Sequence, residues 1–222
     1  MLNDIEIDLP LVAKGRGSVY RLLSRFYLKE MDLEFLKRLK SQGVIDSLNE
    51  LGVDFGKVLN SKPEDKLIDE LAEEYAALFI VPGGIPPYES VRLKGMLCQE
   101  PEWKTREFYK RCGLVVKEDC KTFSDHLGME LEFMGYLADK EASAWENKHV
   151  PEGLNRGDEK TALEWANLQK EFFGEHLDKW VFDFLNDMDK CAFHQFYKGV
   201  ARLTRSFLEI EKEEFFKEKA LV

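Results

Sequence analysis

Residues 174–208 read GEHLDKWVFDFLNDMDKCAFHQFYKGVARLTRSFL. Leu177, Trp180, Val181, Phe184, Leu185 and Met188 recur there at spacings of three and four. Phe193, Phe196, Tyr197, Val200, Leu203 and Phe207 repeat the pattern further along. Such spacing gathers each set on one side of an α-helix, whereas a half-buried strand would alternate apolar and polar residues. The stretch therefore predicts two amphipathic helices after a break at Gly174.

Working outward, the same period governs the rest of the chain. Asp158 is a plausible N-cap for a helix reaching Phe173. Leu127, Leu131, Met134 and Ala138 form a stripe inside a helix expected from Phe123 to Trp145, and a shorter helix is expected from Pro101 to Arg111. Ser61 and Glu64 have capping-box spacing, with Pro63 in the first turn, ahead of the stripe Leu67, Leu71, Tyr75 and Leu78. Leu33, Leu36 and Leu39 suggest a helix stopped near Gly43, and residues 44–60 one or two short pieces. Tyr20, Leu23, Phe26 and Tyr27 open the first helix after a break at Gly15-Arg16-Gly17. β-Branched residues are sparse and no solenoid repeat is evident. The expectation is an all-α, single-domain helical bundle over residues 1–222, with a loop or hinge at 147–157 around Pro151, Gly153 and Gly157.

A hydrophobic share of 44%, with 16 Phe, 7 Tyr and 4 Trp, is ample for a packed interior. The net charge of −10 argues against nucleic acid as a partner and favours a cationic one such as a basic peptide, although an acidic surface also simply keeps a protein in solution. The acidic start Met1-Leu2-Asn3-Asp4 is followed by no apolar core of leader length, and the densest apolar run, Ala76 to Val81, is far too short to cross a bilayer. No stable membrane insertion and a cytoplasmic location are expected. Cys98, Cys112, Cys120 and Cys191 have no metal-finger spacing and read as reduced thiols.

Residues able to do chemistry are few. His126 and Glu130 share a helix face but have no third ligand at matching spacing, so no metal is expected; His149, His176 and His194 stand without a partner motif. Gly83-Gly84 lacks the Lys-Ser/Thr ending of a phosphate loop, no nucleophile elbow occurs, and the adjacent pair Glu73-Glu74 reads as a solvated edge. Neither catalytic residue nor cofactor is expected.

One segment is unusual: Glu74-Tyr75-Ala76-Ala77-Leu78-Phe79-Ile80-Val81-Pro82-Gly83-Gly84-Ile85-Pro86-Pro87-Tyr88-Glu89-Ser90-Val91. It sets aromatic and aliphatic residues at a helix end, then a loop stiffened by prolines, which loses little entropy on binding a peptide. On physics alone the plainer account is that Leu78 and Phe79 are core and Pro86-Pro87 joins two helices. The segment nevertheless resembles the signature of the twin-arginine redox-enzyme maturation chaperones (the TorD, DmsD and NarJ-like group): an acidic residue, Leu-Phe, then a proline-rich loop ending in Pro-Tyr/Trp-Glu-Ser-Val. Asp125-His126-Leu127-Gly128-Met129-Glu130-Leu131-Glu132-Phe133-Met134 resembles the group's second motif. Weaker echoes are Tyr20 to Tyr27 and His176 to Trp180, so the likeness spans nearly the whole chain in order. It departs at Arg92, where several members carry an aromatic residue.

This resemblance implies a non-enzymatic chaperone. Its partner would be the N-terminal signal peptide and folding intermediate of a molybdenum or tungsten oxidoreductase catalytic subunit, held back from export until cofactor loading. Tyr75, Leu78, Phe79, Pro86, Pro87, Tyr88, Glu89, Ser90, Asp125, His126 and Glu130 are the implied peptide-binding set. Leu78, Phe79 and Tyr88 would take the apolar part, Glu89, Asp125 and Glu130 the arginines, and His126 would orient Asp125 with some pH sensitivity. Arg92 would weaken or redirect a cationic peptide. The alternatives are an assembly factor for a membrane-side reductase and, from another class, a nucleotide- or His126/Glu130 metal-dependent hydrolase. Monomer and homodimer both stay open.

Overall fold

A computed structural model describes residues 8–50, 54–117, 120–147 and 159–217. The first two helices begin where the sequence supplies caps. Asp8 accepts the Leu11 N–H and Pro10 occupies the first turn of α1 (Leu9–Leu28); Asp32 accepts the Phe35 N–H to start α2 (Leu33–Leu39). Then follow α3 (Gln42–Glu50), α4 (Gly56–Leu59), α5 (Glu64–Phe79), α6 (Glu89–Lys94), α7 (Glu100–Arg111), α8 (Leu127–Asn147), α9 (Glu159–Glu175), a 3-10 turn (Leu177–Lys179), α10 (Val181–Cys191) and α11 (Gln195–Phe216). The predicted all-α fold holds: among the described residues every regular element is helical, and strand-like pairing is confined to one bridge between Tyr88 and His126. The expected hinge at 147–157 and the Asp158 cap lie outside the described residues, apart from the backbone of Asn147.

Three local expectations are corrected. The break at Gly15-Arg16-Gly17 does not exist, because α1 runs straight through it. Gly17 is there for proximity: a Cβ would lie 2.9 Å from Asp139 Oδ1 and 3.3 Å from the Gly135 carbonyl, where α1 crosses α8. The Ser61/Glu64 capping box does not form, since Ser61 instead donates to the Val58 carbonyl and closes α4, leaving Pro63 to lead into α5. Glu74 is not a solvated edge: its carboxylate accepts the N–H groups of Phe193 and His194 at 2.5–2.9 Å and so caps α11 from α5.

The main core cluster is rich in aromatic rings, and a small second one gathers Ala144, Trp145 and Ala162. Phe26, Phe35, Phe55 and Phe196 pack together with centroids 5.4–6.5 Å apart, Phe196 edge to face with Phe26 and Phe55; Phe108, Tyr109, Phe133 and Phe172 form a second group. The sequence reading did not anticipate α6, whose single apolar turn is too short for a periodic signal; it links the proline loop to α7. Among the described residues no helix is long and apolar enough to cross a membrane.

Candidate functional site

The proline loop begins at the end of α5. Gly83 takes the left-handed conformation (φ +91°), and Gly84 lies so close to the helix that a Cβ would meet the Leu78 carbonyl oxygen at 2.5 Å. Ile85 N–H then donates to that same carbonyl. The chain is thereby folded back over its own helix end, and only glycine permits the approach.

From Pro87 the loop runs antiparallel to the segment leading into α8. Leu127 N–H donates to the Pro87 carbonyl at 2.8 Å and Glu89 N–H to the Asp125 carbonyl at 2.9 Å, on either side of the Tyr88–His126 bridge. Asp125 Oδ2 accepts the Ser90 N–H at 2.8 Å and so anchors the first turn of α6. The Tyr88 ring meets His126 edge to face at 4.8 Å and Phe123 at 6.2 Å. The two motifs singled out in the sequence thus form one backbone-paired seam.

Beneath the seam is a buried polar cluster. Glu89 Oε2 lies 2.8 Å from His176 Nδ1, and Thr105 Oγ1 lies 3.1 Å from the same nitrogen. Trp180 Nε1 donates to Glu130 Oε2 at 3.3 Å, while Glu130 Oε1, Asp125 Oδ1 and Ser90 Oγ have no bonding partner. Glu102 accepts from Ser124 and Arg106, and Tyr109 donates to the Ser124 carbonyl. Burial, reinforced by the neighbouring Glu89 and Asp125 carboxylates, holds Glu130 well above the usual carboxylate range. Asp125 is raised too, chiefly by burial. Burial lowers His126 to about 4, and its Nδ1 accepts the Gly128 N–H, so it is the neutral tautomer protonated at Nε2.

Each expected site residue now has a place. Glu89, Ser90, Asp125, His126 and Glu130 are brought together but are buried, and Pro87 is buried with them. Leu78 and Phe79, 4% and 6% exposed, belong to the core and support the loop from below; in this conformation a peptide cannot reach them. Tyr75 is equally enclosed and donates its hydroxyl to the Tyr27 carbonyl. Pro86 is exposed and Tyr88 half-buried. Beside Phe123 opens a pocket of about 320 Å³ whose rim carries Arg106, Lys110 and Lys117.

A family model described as nitrate reductase delta subunit matches residues 32–186, a span that includes the whole seam and the cluster under it. The chain belongs to that family. Relatives found along its length include the chaperone protein TorD of Shewanella sp. (strain ANA-3), 26% identical, with 90% of this chain and 93% of the relative covered. TorD of Vibrio cholerae serotype O1 (strain ATCC 39315 / El Tor Inaba N16961) is 27% identical over 95% and 98%. Among solved structures, a putative redox enzyme maturation protein from Archaeoglobus fulgidus aligns with a TM-score of 0.45 at 17% identity, covering 89% and 93%. The resemblance drawn from the two motifs is borne out.

Within this family member, several residues of the site escaped the sequence reading. His176 has no partner motif in the sequence, yet it meets a carboxylate 87 positions away. The bonds of Thr105 to His176, of Ser124 to Glu102 and of Trp180 to Glu130 carry no local signal, because each joins residues far apart in the chain. Arg92, the departure from the family pattern, pairs with Asp187 of α10 at 2.6 Å, so its charge is already matched.

Proposed function

We propose that this protein is a cytoplasmic chaperone of redox-enzyme maturation that binds the N-terminal twin-arginine signal peptide of a molybdenum or tungsten oxidoreductase and delays export until its cofactor is in place. The observation that carries the proposal is the seam: a proline loop fastened along its backbone, with Pro86 and the Tyr88 ring at its outer side. A surface so fixed loses little entropy when a peptide docks. The chain just beyond it exposes Leu93, Met96, Leu97 and Trp103, between 41% and 62%, an apolar run suited to the hydrophobic part of a leader. Full-length similarity to TorD chaperones supports the same conclusion.

In this proposal Tyr88, Pro86 and the exposed run touch the client. Asp125, Ser90, Glu89, His126 and Glu130 hold the loop in shape, and their carboxylates meet the leader's arginines only when the seam opens. Leu78, Phe79, Tyr75 and Pro87 support it from within. No step of chemistry is required of the protein.

Calorimetric titration with a twin-arginine leader peptide tests this. Tyr88→Ala should weaken binding at least tenfold with helicity unchanged by circular dichroism. Undiminished affinity in both Tyr88→Ala and Trp103→Ala would overturn the proposal. The family's name, nitrate reductase delta subunit, favours one second reading, an assembly factor for a membrane-side reductase; tighter binding of a leader lacking the arginine pair would select it.

A further inference from the structure

Glu89 from α6, Glu130 from α8 and His176 from the entry to the 3-10 turn present one ligand atom each, all within 4.8 Å of one another and all enclosed by the fold. Among the described residues no lysine or arginine bonds to any of the three; the nearby Arg106 is taken by Glu102. Glu130 Oε1 is fully buried and has no partner. The Thr105 hydroxyl borders the same space: it lies 2.9 Å from the Pro101 carbonyl, 3.1 Å from His176 Nδ1 and 3.5 Å from Glu89 Oε2. Two buried carboxylates that no lysine or arginine meets carry a large desolvation cost, and an oxygen left unbonded adds to it.

We propose that Glu89, Glu130 and His176 form a buried binding site for a divalent cation of the zinc class. The donor set selects the ion. Two carboxylates and one imidazole, with a hydroxyl or water in the fourth position, match a four-coordinate borderline ion. Calcium and magnesium demand more oxygen ligands than the cluster supplies, and a soft monovalent copper ion would want thiolates, which the cluster lacks. Such an ion would neutralise the carboxylate pair and fasten the first turn of α6, and with it the proline loop, to α8 and to the start of α10. Its role is to set the seam, not to catalyse. The two proposals share Glu89 and Glu130, but metal binding and peptide binding are read separately, so the failure of one is distinguishable from the failure of the other.

The test uses the full chain, stripped of metal, with the exposed thiols removed by Cys98→Ser, Cys120→Ser and Cys191→Ser. Titration with cobalt(II), then zinc, should saturate at one equivalent, give the intense visible absorption of four-coordinate cobalt, and raise the thermal midpoint. Glu130→Gln, which keeps the shape, and His176→Gln should each weaken binding at least tenfold. Absence of saturable binding, or binding that survives both substitutions, would overturn the site and leave a proton shared between Glu89 and Glu130 as the sole occupant. Should either variant fail to fold, the parent chain decides: slow release of cobalt to EDTA supports a buried site, and immediate release rejects it.

Discussion

Two buried polar clusters in this molecule are built in opposite ways. Around Arg16, four helices are tied together: the guanidinium donates to both oxygens of Glu211 at 2.7–3.0 Å, to Glu141 at 3.0 Å and to Gln169 at 2.8 Å, while the Tyr20 hydroxyl donates to Glu211. A cation faces its carboxylates there, and the guanidinium donors are well used. Under the seam, Glu89, Asp125 and Glu130 crowd together; among the described residues no lysine or arginine bonds to them, His176 meets Glu89 alone, and three polar atoms lack partners. The first arrangement is what a fold needs to hold its helices in register. The second costs stability, and natural proteins tolerate such cost where a site must meet something from outside.

Removing the cation from the first cluster should produce the largest effect. Arg16→Ala leaves Glu211, 2% exposed, as an unpaired buried charge. Breaking such a pair from one side costs about 3–5 kcal/mol, to be read from the midpoint of urea unfolding. A change below ~1 kcal/mol would show that the two clusters differ less than their geometry implies.

The contrast also explains what could be read from the chain. The helices were legible because burial follows the 3.6-residue period, as in Leu67, Leu71, Tyr75 and Leu78 on α5. The Pro86 to Ser90 and Asp125 to Glu130 motifs were legible as family likeness, and the fold sets them side by side. The buried clusters were not legible. Arg16 and Glu211 are 195 positions apart, and Glu89 and His176 are 87 apart, so no local spacing connects them. Glycine misleads at one place for a related reason: Gly17 serves a helix crossing, a need set by a distant backbone, and does not break α1. Glu74 was misread likewise, because the N–H groups it caps arrive from α11.

The second cluster can be probed through pH. His126 is held at about 4 in the fold, below its ordinary 6.5, because burial disfavours the imidazolium. The unfolded chain therefore takes up the proton first. The neutral ring's contribution is complete above pH 6.5 and is lost as pH falls toward 4. Relative to His126→Gln, the native chain should lose up to about 3 kcal/mol across that window. Asp125 and Glu130 act in the opposite sense, since their raised values make the fold less stable as pH rises through them, and the paired comparison with His126→Gln cancels their share. Parallel stability curves for the two proteins between pH 6.5 and 4 would rule out the buried neutral ring.

The smallest expected effect belongs to an ion pair at the surface. Arg92 and Asp187 are each about one-third exposed, and Arg92 holds the Asp187 carboxyl below the usual range. Exposed pairs of this kind contribute less than ~1 kcal/mol, so Arg92→Ala should shift the unfolding midpoint little. Its effect on a cationic leader should be clearer. The substitution removes a positive charge one turn from the seam and uncovers a carboxylate on α10, so affinity should rise by roughly two- to fivefold in low salt and return to the parent value near 1 M salt, where screening shortens to about 3 Å. A leader that binds Arg92→Ala more weakly than the parent would mean that Arg92 touches the client directly. The family departure at this position would then be a contact, not a neutralised charge.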